Sequence, residues 1–115
     1  MLLIRIGVRD EHIRVIDISK HAVKQDDNDN QYQLICAGVS AIAVGLCNAI
    51  EEICPEQSSI DVVSDEDDSS ALNHITIVVV EDSLDLQTVL KVGRYQLETV
   101  ANSYENYIDY KITEV

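Results

Sequence analysis

The sequence predicts an α+β fold, a two-layer sandwich in which two helices pack on one face of a mixed β-sheet, in the order ββαββαβ. Three observations carry this prediction. Alternating, β-branched runs lie at both ends and in the middle of the chain, two long stretches space apolar residues at helical intervals, and clusters of Asp, Asn and Ser separate them. At 115 residues the chain is expected to form one domain, 1–115, large enough to bury a core of its own.

Each element follows from its local pattern. Residues 1–8 are apolar and β-branched, and 12–19 set Ile13, Val15 and Asp17 on one face against Arg14, Ile16 and Ile18 on the other. Joined through Arg9, Asp10 and Glu11, they read as a hairpin whose second strand delivers His21 just past its end. Residues 24–31 contain Asp26, Asp27, Asn28, Asp29 and Asn30, whose side chains bond their own backbone, so this stretch reads as a loop placed to act as a lid. From 34 to 53 nearly every residue is apolar or small, with Cys36, Val39, Ala43, Leu46 and Ile50 along one stripe, which predicts a central, mostly buried helix. Ser40, Gly45 and Asn48 interrupt the run and Glu51 and Glu52 end it, against a membrane span, and Pro55 stops the helix.

Residues 60–63 and 75–80 are the next strands, the latter a candidate for the centre of the sheet, with an acidic loop at 65–70 between them. Asp82 or Ser83 caps a second helix running to about 103, with Leu86, Val89, Leu90, Leu97, Val100, Ala101 and Tyr104 on its apolar stripe. Gly93 is placed to let the two helices approach closely. Residues 107–113 alternate as a last, half-exposed strand.

Charge narrows the partners. Eight basic against 21 acidic side chains give a formal charge of −13, which repels phosphate backbones and anionic membranes and favours a basic protein. No direct nucleic-acid or membrane partner is therefore expected. Three cysteines, an odd number, with no cationic leader before an apolar run, point to the reducing cytoplasm. Cys47 and Cys54 lie two helical turns apart without a C-x-x-C pair or clustered histidines, so they read as core thiols and not as zinc ligands. The acidic loop around Asp26 lacks the central Gly and closing Glu of an EF-hand. No metal is expected. No Gly-rich phosphate loop or nucleophile elbow occurs either, and no cofactor is expected.

What remains is a cysteine and a histidine. Cys36 opens the long apolar helix, and a helix start is one of the few places that favour a thiolate, the form of cysteine that attacks. His21 ends the strand before it. The bland alternative is that Cys36 is a small buried hydrophobe.

Ser19-Lys20-His21-Ala22, followed by Ile35-Cys36-Ala37-Gly38-Val39-Ser40-Ala41, resembles the ribosomal-processing cysteine protease family of certain bacteria. That family reads Ser-Gly-His-Ala and then Asp-Ile-Val-Cys-Ala-Ala-Val-Ser-Ala-Leu. Lys91-Val92-Gly93 and residues 100–108 resemble its closing helix and the Tyr-containing lead into its last strand. Lys20 stands where the family has Gly, Gln33 where it has Asp, and Gly38 where it has Ala. The resemblance implies a cysteine endopeptidase that removes the N-terminal extension of a large-subunit ribosomal protein, acting as a homodimer. Cys36 is then the nucleophile and His21 the general base, with the amides of Cys36 and Ala37 as oxyanion donors at the helix start. Ser40, one turn on, and Gln33, able to orient His21 through its amide, are supporting residues. Two alternatives stand beside this reading. One is a non-catalytic module holding a basic ribosomal protein, with Lys20 and Gln33 marking lost chemistry. The weaker one is a thiol oxidoreductase, which lacks a nearby resolving cysteine.

Overall fold

A computed structural model of the chain describes residues 1–20, 30–64 and 72–115. Strands β1 (Leu2–Arg9) and β2 (His12–Lys20) pair antiparallel. Their two-residue turn places Asp10 and Glu11 at φ 51° and 67°, the left-handed geometry whose twist matches that of a hairpin. Helix α1 (Asn30–Ile53) follows, then β3 (Ser58–Ser64), β4 (Leu72–Val79), α2 (Leu84–Ser103) and β5 (Ile108–Glu114). The five strands form one sheet in the order β3-β4-β2-β1-β5. β5 runs parallel to β1 and the other pairs are antiparallel. This is the expected ββαββαβ sandwich, with β2 at the centre and β4 one place away from it.

One irregularity changes which side chains reach the core. The register shifts between Gly7 and Val8, so that Gly7 faces Val15 while Val8 faces Ile13, and Arg14 is the extra residue. Ile13, expected on the face of Asp17, therefore turns inward with Ile16 and Ile18. β4 pairs with β2 only from Val15 to Ser19, which leaves the outward backbone groups of Ile13 without a strand partner. The side chain of Gln87, from α2, supplies one. Ile13 N donates to Gln87 Oε1 at 2.8 Å, and Gln87 Nε2 donates to Ile13 O at 2.8 Å. Gln87 is 4% exposed, and a stripe of apolar residues gives no warning of it.

The second helix begins as expected. Ser83 Oγ accepts from Leu86 N at 3.1 Å and donates to Gln57 Oε1 at 2.6 Å, tying the cap to the preceding turn. Leu86, Leu90, Leu97 and Ala101 are buried, and Gly93 lies against Leu46 of α1. The first helix differs from expectation. Its buried stripe is Tyr32, Ile35, Val39, Ala43, Leu46 and Ile50, while Leu34, Ala41, Val44 and Ile53 are exposed. It is buried along one stripe and not mostly buried, because a single helical layer leaves its outer side uncovered. By length and composition alone it would also suffice to cross a membrane.

Candidate active site

The start of α1 governs the site. Asn30 and Gln31, expected in the loop, are already helical. Tyr32 is buried and stacks on Tyr107, with ring centroids 6.0 Å apart and planes at 21°. Tyr107 Oη also reaches Gln31 Oε1 at 3.5 Å. These contacts to the approach of β5 extend the helix beyond the apolar run from which its start was read. The polar Asn-Gln prefix carries no apolar periodicity, so the sequence pattern could not show it.

Counting from Asn30, Cys36 is the seventh residue of the helix. Only the first four amides of a helix lack internal acceptors. The amides of Cys36 and Ala37 are thus committed to the helix, and the expectation that they form an oxyanion site at a helix start is corrected. For the same reason Cys36 gains little from the helix dipole, whose effect fades within the first turn. Ala37 and Gln33 are exposed, and Gln33 does not bound the cavity described next.

Cys36 and Ser40, one turn apart and both half-buried, open on a cavity of about 110 Å³ between α1 and the sheet. Its apolar wall is Leu2, Ile18, Val39, Ala43 and Ile75, and its remaining polar boundary comes from Ser19, Lys20 and His74. Lys20 is the last residue of β2, and His21 is joined to it by one peptide bond. His21 itself lies outside the described residues, as does the expected lid apart from Asn30 and Gln31, which are helical.

The other two histidines are engaged elsewhere. His12 sits at the far end of β2, where its Nδ1 lies 2.7 Å from Asp82 Oδ2. Partial burial pushes the Asp82 carboxyl upward, but hydrogen bonds from Gln87 and His12 outweigh it and hold the group below its ordinary value. His74 bounds the cavity by position, yet its neighbours Ile75 and Ile77 are buried under the helices. Strand alternation therefore turns its ring to the open face of the sheet. There His74 Nε2 meets Asp17 Oδ1 at 2.5 Å, and Thr76 Oγ1 donates to the same oxygen at 2.8 Å. This cluster spans β2 and β4, and only their pairing brings it together.

None of the three cysteines is in a disulfide. Cys54 is buried and Cys47 half-buried, with burial and the nearby Glu51 pushing the Cys47 thiol up. Among the described residues no three His, Cys, Asp or Glu side chains gather to hold a metal.

Comparison with known proteins adds a family and a fold. A sequence model of the family described as cysteine protease Prp matches residues 1–109. The essential ribosomal processing protease Prp from S. aureus in complex with a substrate peptide superposes with a TM-score of 0.76 at 23% identity, covering 98% of this chain and 100% of that one. The same protease with a covalently linked product peptide gives 0.75 at 23% identity and the same coverage. SMU.848 from Streptococcus mutans gives 0.75 at 17% identity, covering 100% of this chain and 96% of its own. At these identities the structural likenesses show a shared fold. No curated protein matches the chain significantly.

Proposed function

Because the chain belongs to the cysteine protease Prp family, we propose that it is an endopeptidase that removes the N-terminal extension of a large-subunit ribosomal protein. One observation carries the assignment of residues. A single small cavity is bounded both by Cys36 on α1 and by the end of β2, to which His21 is directly joined. The engagement of His12 with Asp82 and of His74 with Asp17 supports His21 as the remaining base.

In this reading His21 takes the Cys36 proton and the thiolate sulfur attacks the scissile carbonyl carbon, sending the carbonyl electron pair onto oxygen. Collapse of the tetrahedral intermediate breaks the C–N bond, and His21 delivers its proton to the departing amine. Water, deprotonated by His21, then attacks the thioester and releases the new carboxylate and the Cys36 thiolate, which is reprotonated. Ser40, on the same cavity, is the nearby hydroxyl able to donate a hydrogen bond to the oxyanion. Gln33 is exposed near the start of α1, one turn before Cys36, and in this reading its amide orients His21 by a hydrogen bond. The formal charge of −13 suits a basic ribosomal protein and speeds encounter more than it deepens affinity. The cytoplasm, where ribosomal proteins are made, and a homodimeric state complete the proposal.

The test is incubation with a large-subunit ribosomal protein carrying its extension, followed by measurement of intact mass. Loss of the mass of the extension is the expected result. An unchanged mass with retained binding would make the protein a non-catalytic module instead.

A further inference from the structure

The position of Cys36 raises a question about its charge. A cysteine nucleophile needs its thiolate, and the seventh residue of a helix obtains little help from the helix terminus. From Asn30 to Ile50 α1 carries no charged side chain at all. The stabilising charge must come from another element.

β2 supplies a cation at that point. Its inward residues Ile16 and Ile18 are buried beneath the helices, and strand alternation puts Lys20 on the same face. The pairing agrees, since Lys20 lies directly opposite Leu2, which is 3% exposed and belongs to the core. Lys20 is half-buried and bounds the cavity shared by Cys36 and Ser40. No carboxylate is among the described residues that bound it, and none of α2 does so. His74 turns its ring to the opposite face, against Asp17. His21 adjoins Lys20 outside the described residues. Three other cations of this acidic chain are engaged by carboxylates, Arg5 by Asp109, Arg14 by Asp82 and Arg94 by Glu98, and none of the three bounds this cavity. Lys20 forms no ion pair among the described residues.

We infer that Lys20 is a positioning residue of the site, its ammonium group holding the negative charge of the Cys36 thiolate in the cavity beneath α1. The inference rests on the reading of Cys36 as nucleophile and adds a residue to it. The apolar wall of Leu2, Ile18 and Val39 strengthens the pairing, because a charge is felt more strongly where water is partly excluded. Lysine meets the geometric need with a long stem packed along the wall and a compact charged head.

The experiment is the pH dependence of iodoacetamide alkylation at Cys36, located by peptide mass, in the full chain and in its Lys20→Met and Lys20→Arg variants. Peptide location separates Cys36 from Cys54, which is buried, and from Cys47, whose thiol is pushed up. Wild-type Cys36 should reach half its maximal rate below the ordinary thiol value of about 8.5. Lys20→Met should move that midpoint upward and slow alkylation near pH 7 by about tenfold, the effect of one pKa unit. Lys20→Arg should restore most of the rate, which a purely structural role for the side chain would not require. Superimposable profiles for wild type and Lys20→Met would overturn the inference. Cleavage of the ribosomal substrate by the wild-type protein, followed in parallel, separates the two claims. Cleavage with coincident profiles defeats the role of Lys20 alone, and a shifted profile without cleavage sustains that role while defeating the protease reading.

Discussion

At the scale of single residues, the chemistry-bearing types were visible in the sequence while their surroundings were not. Cys36 and Ser40 share a helical face by spacing alone, and they do share a cavity. The oxyanion role expected for the Cys36 and Ala37 amides failed because it depended on a helix boundary, and the contacts of Tyr32 and Gln31 with Tyr107 move that boundary. Asp17 is far in the chain from His74 and Thr76, and nothing short of the β2–β4 register brings it to them. Asp82 likewise draws in His12 and Arg14 from far along the chain, beside Gln87 five residues on. The Asp82 carboxyl is held below its ordinary value of 3.8. A depressed carboxylate contributes stability that is present above that ordinary value and lost as pH falls through the lowered one. Asp82→Asn should therefore reduce the urea midpoint from pH 5 upward, with the gap to wild type closing as pH drops below 3.8. A gap that is independent of pH would show that the charge of Asp82 is irrelevant.

At the scale of elements, spacing sufficed for the interior and failed at the ends. The Ser83 cap, the role of Gly93 and the buried core of the α2 stripe emerged as expected, except that Tyr104, expected on the stripe, is the exposed C-cap beyond the last helical turn. A Cβ at Gly93 would come within 2.6 Å of Leu46 Cδ2 and 3.2 Å of its Cγ, whereas a Cβ at Gly45 would meet nothing within 4 Å. Two glycine-to-alanine changes in helices should therefore have opposite signs. Gly45→Ala should gain up to about 1 kcal/mol from helix propensity. At Gly93 the same gain is set against overpacking of about 1–3 kcal/mol, for a net loss that Leu46→Ala should relieve. Thermal unfolding of the two single variants and the double variant checks this, and equal stabilisation by both alanines would contradict the packing. The bulge at Arg14 was invisible in the sequence because alternation assumes an unbroken pleat. Its consequence is measurable. Gln87→Leu removes the partner of both backbone groups of Ile13, and two buried orphans at about 1–3 kcal/mol each give an expected loss near 3 kcal/mol by denaturant unfolding. A loss below about 0.5 kcal/mol, the level of an ordinary surface substitution, would show that Gln87 does not complete the strand.

At the scale of the whole molecule, the order of elements was enough for the architecture, because two amphipathic helices and five short strands have few ways to bury their apolar faces in two layers. The family match over residues 1–109 agrees with the motifs around His21 and Cys36. Charge should act at this scale too. If the excess of acid steers a basic substrate, raising sodium chloride from about 50 to 500 mM should lower kcat/KM severalfold while kcat changes little; a salt-independent kcat/KM would remove steering from the account. The central claim is that Cys36 carries the acyl group of the substrate during cleavage. It is tested most directly by acid-quenching the reaction in its first turnover and measuring the mass of the peptide that contains Cys36. The expected result is a thioester adduct equal in mass to the acyl portion of the removed extension, absent from Cys36→Ala, which should not cleave. Cleavage by Cys36→Ala at a rate comparable to wild type would contradict the account.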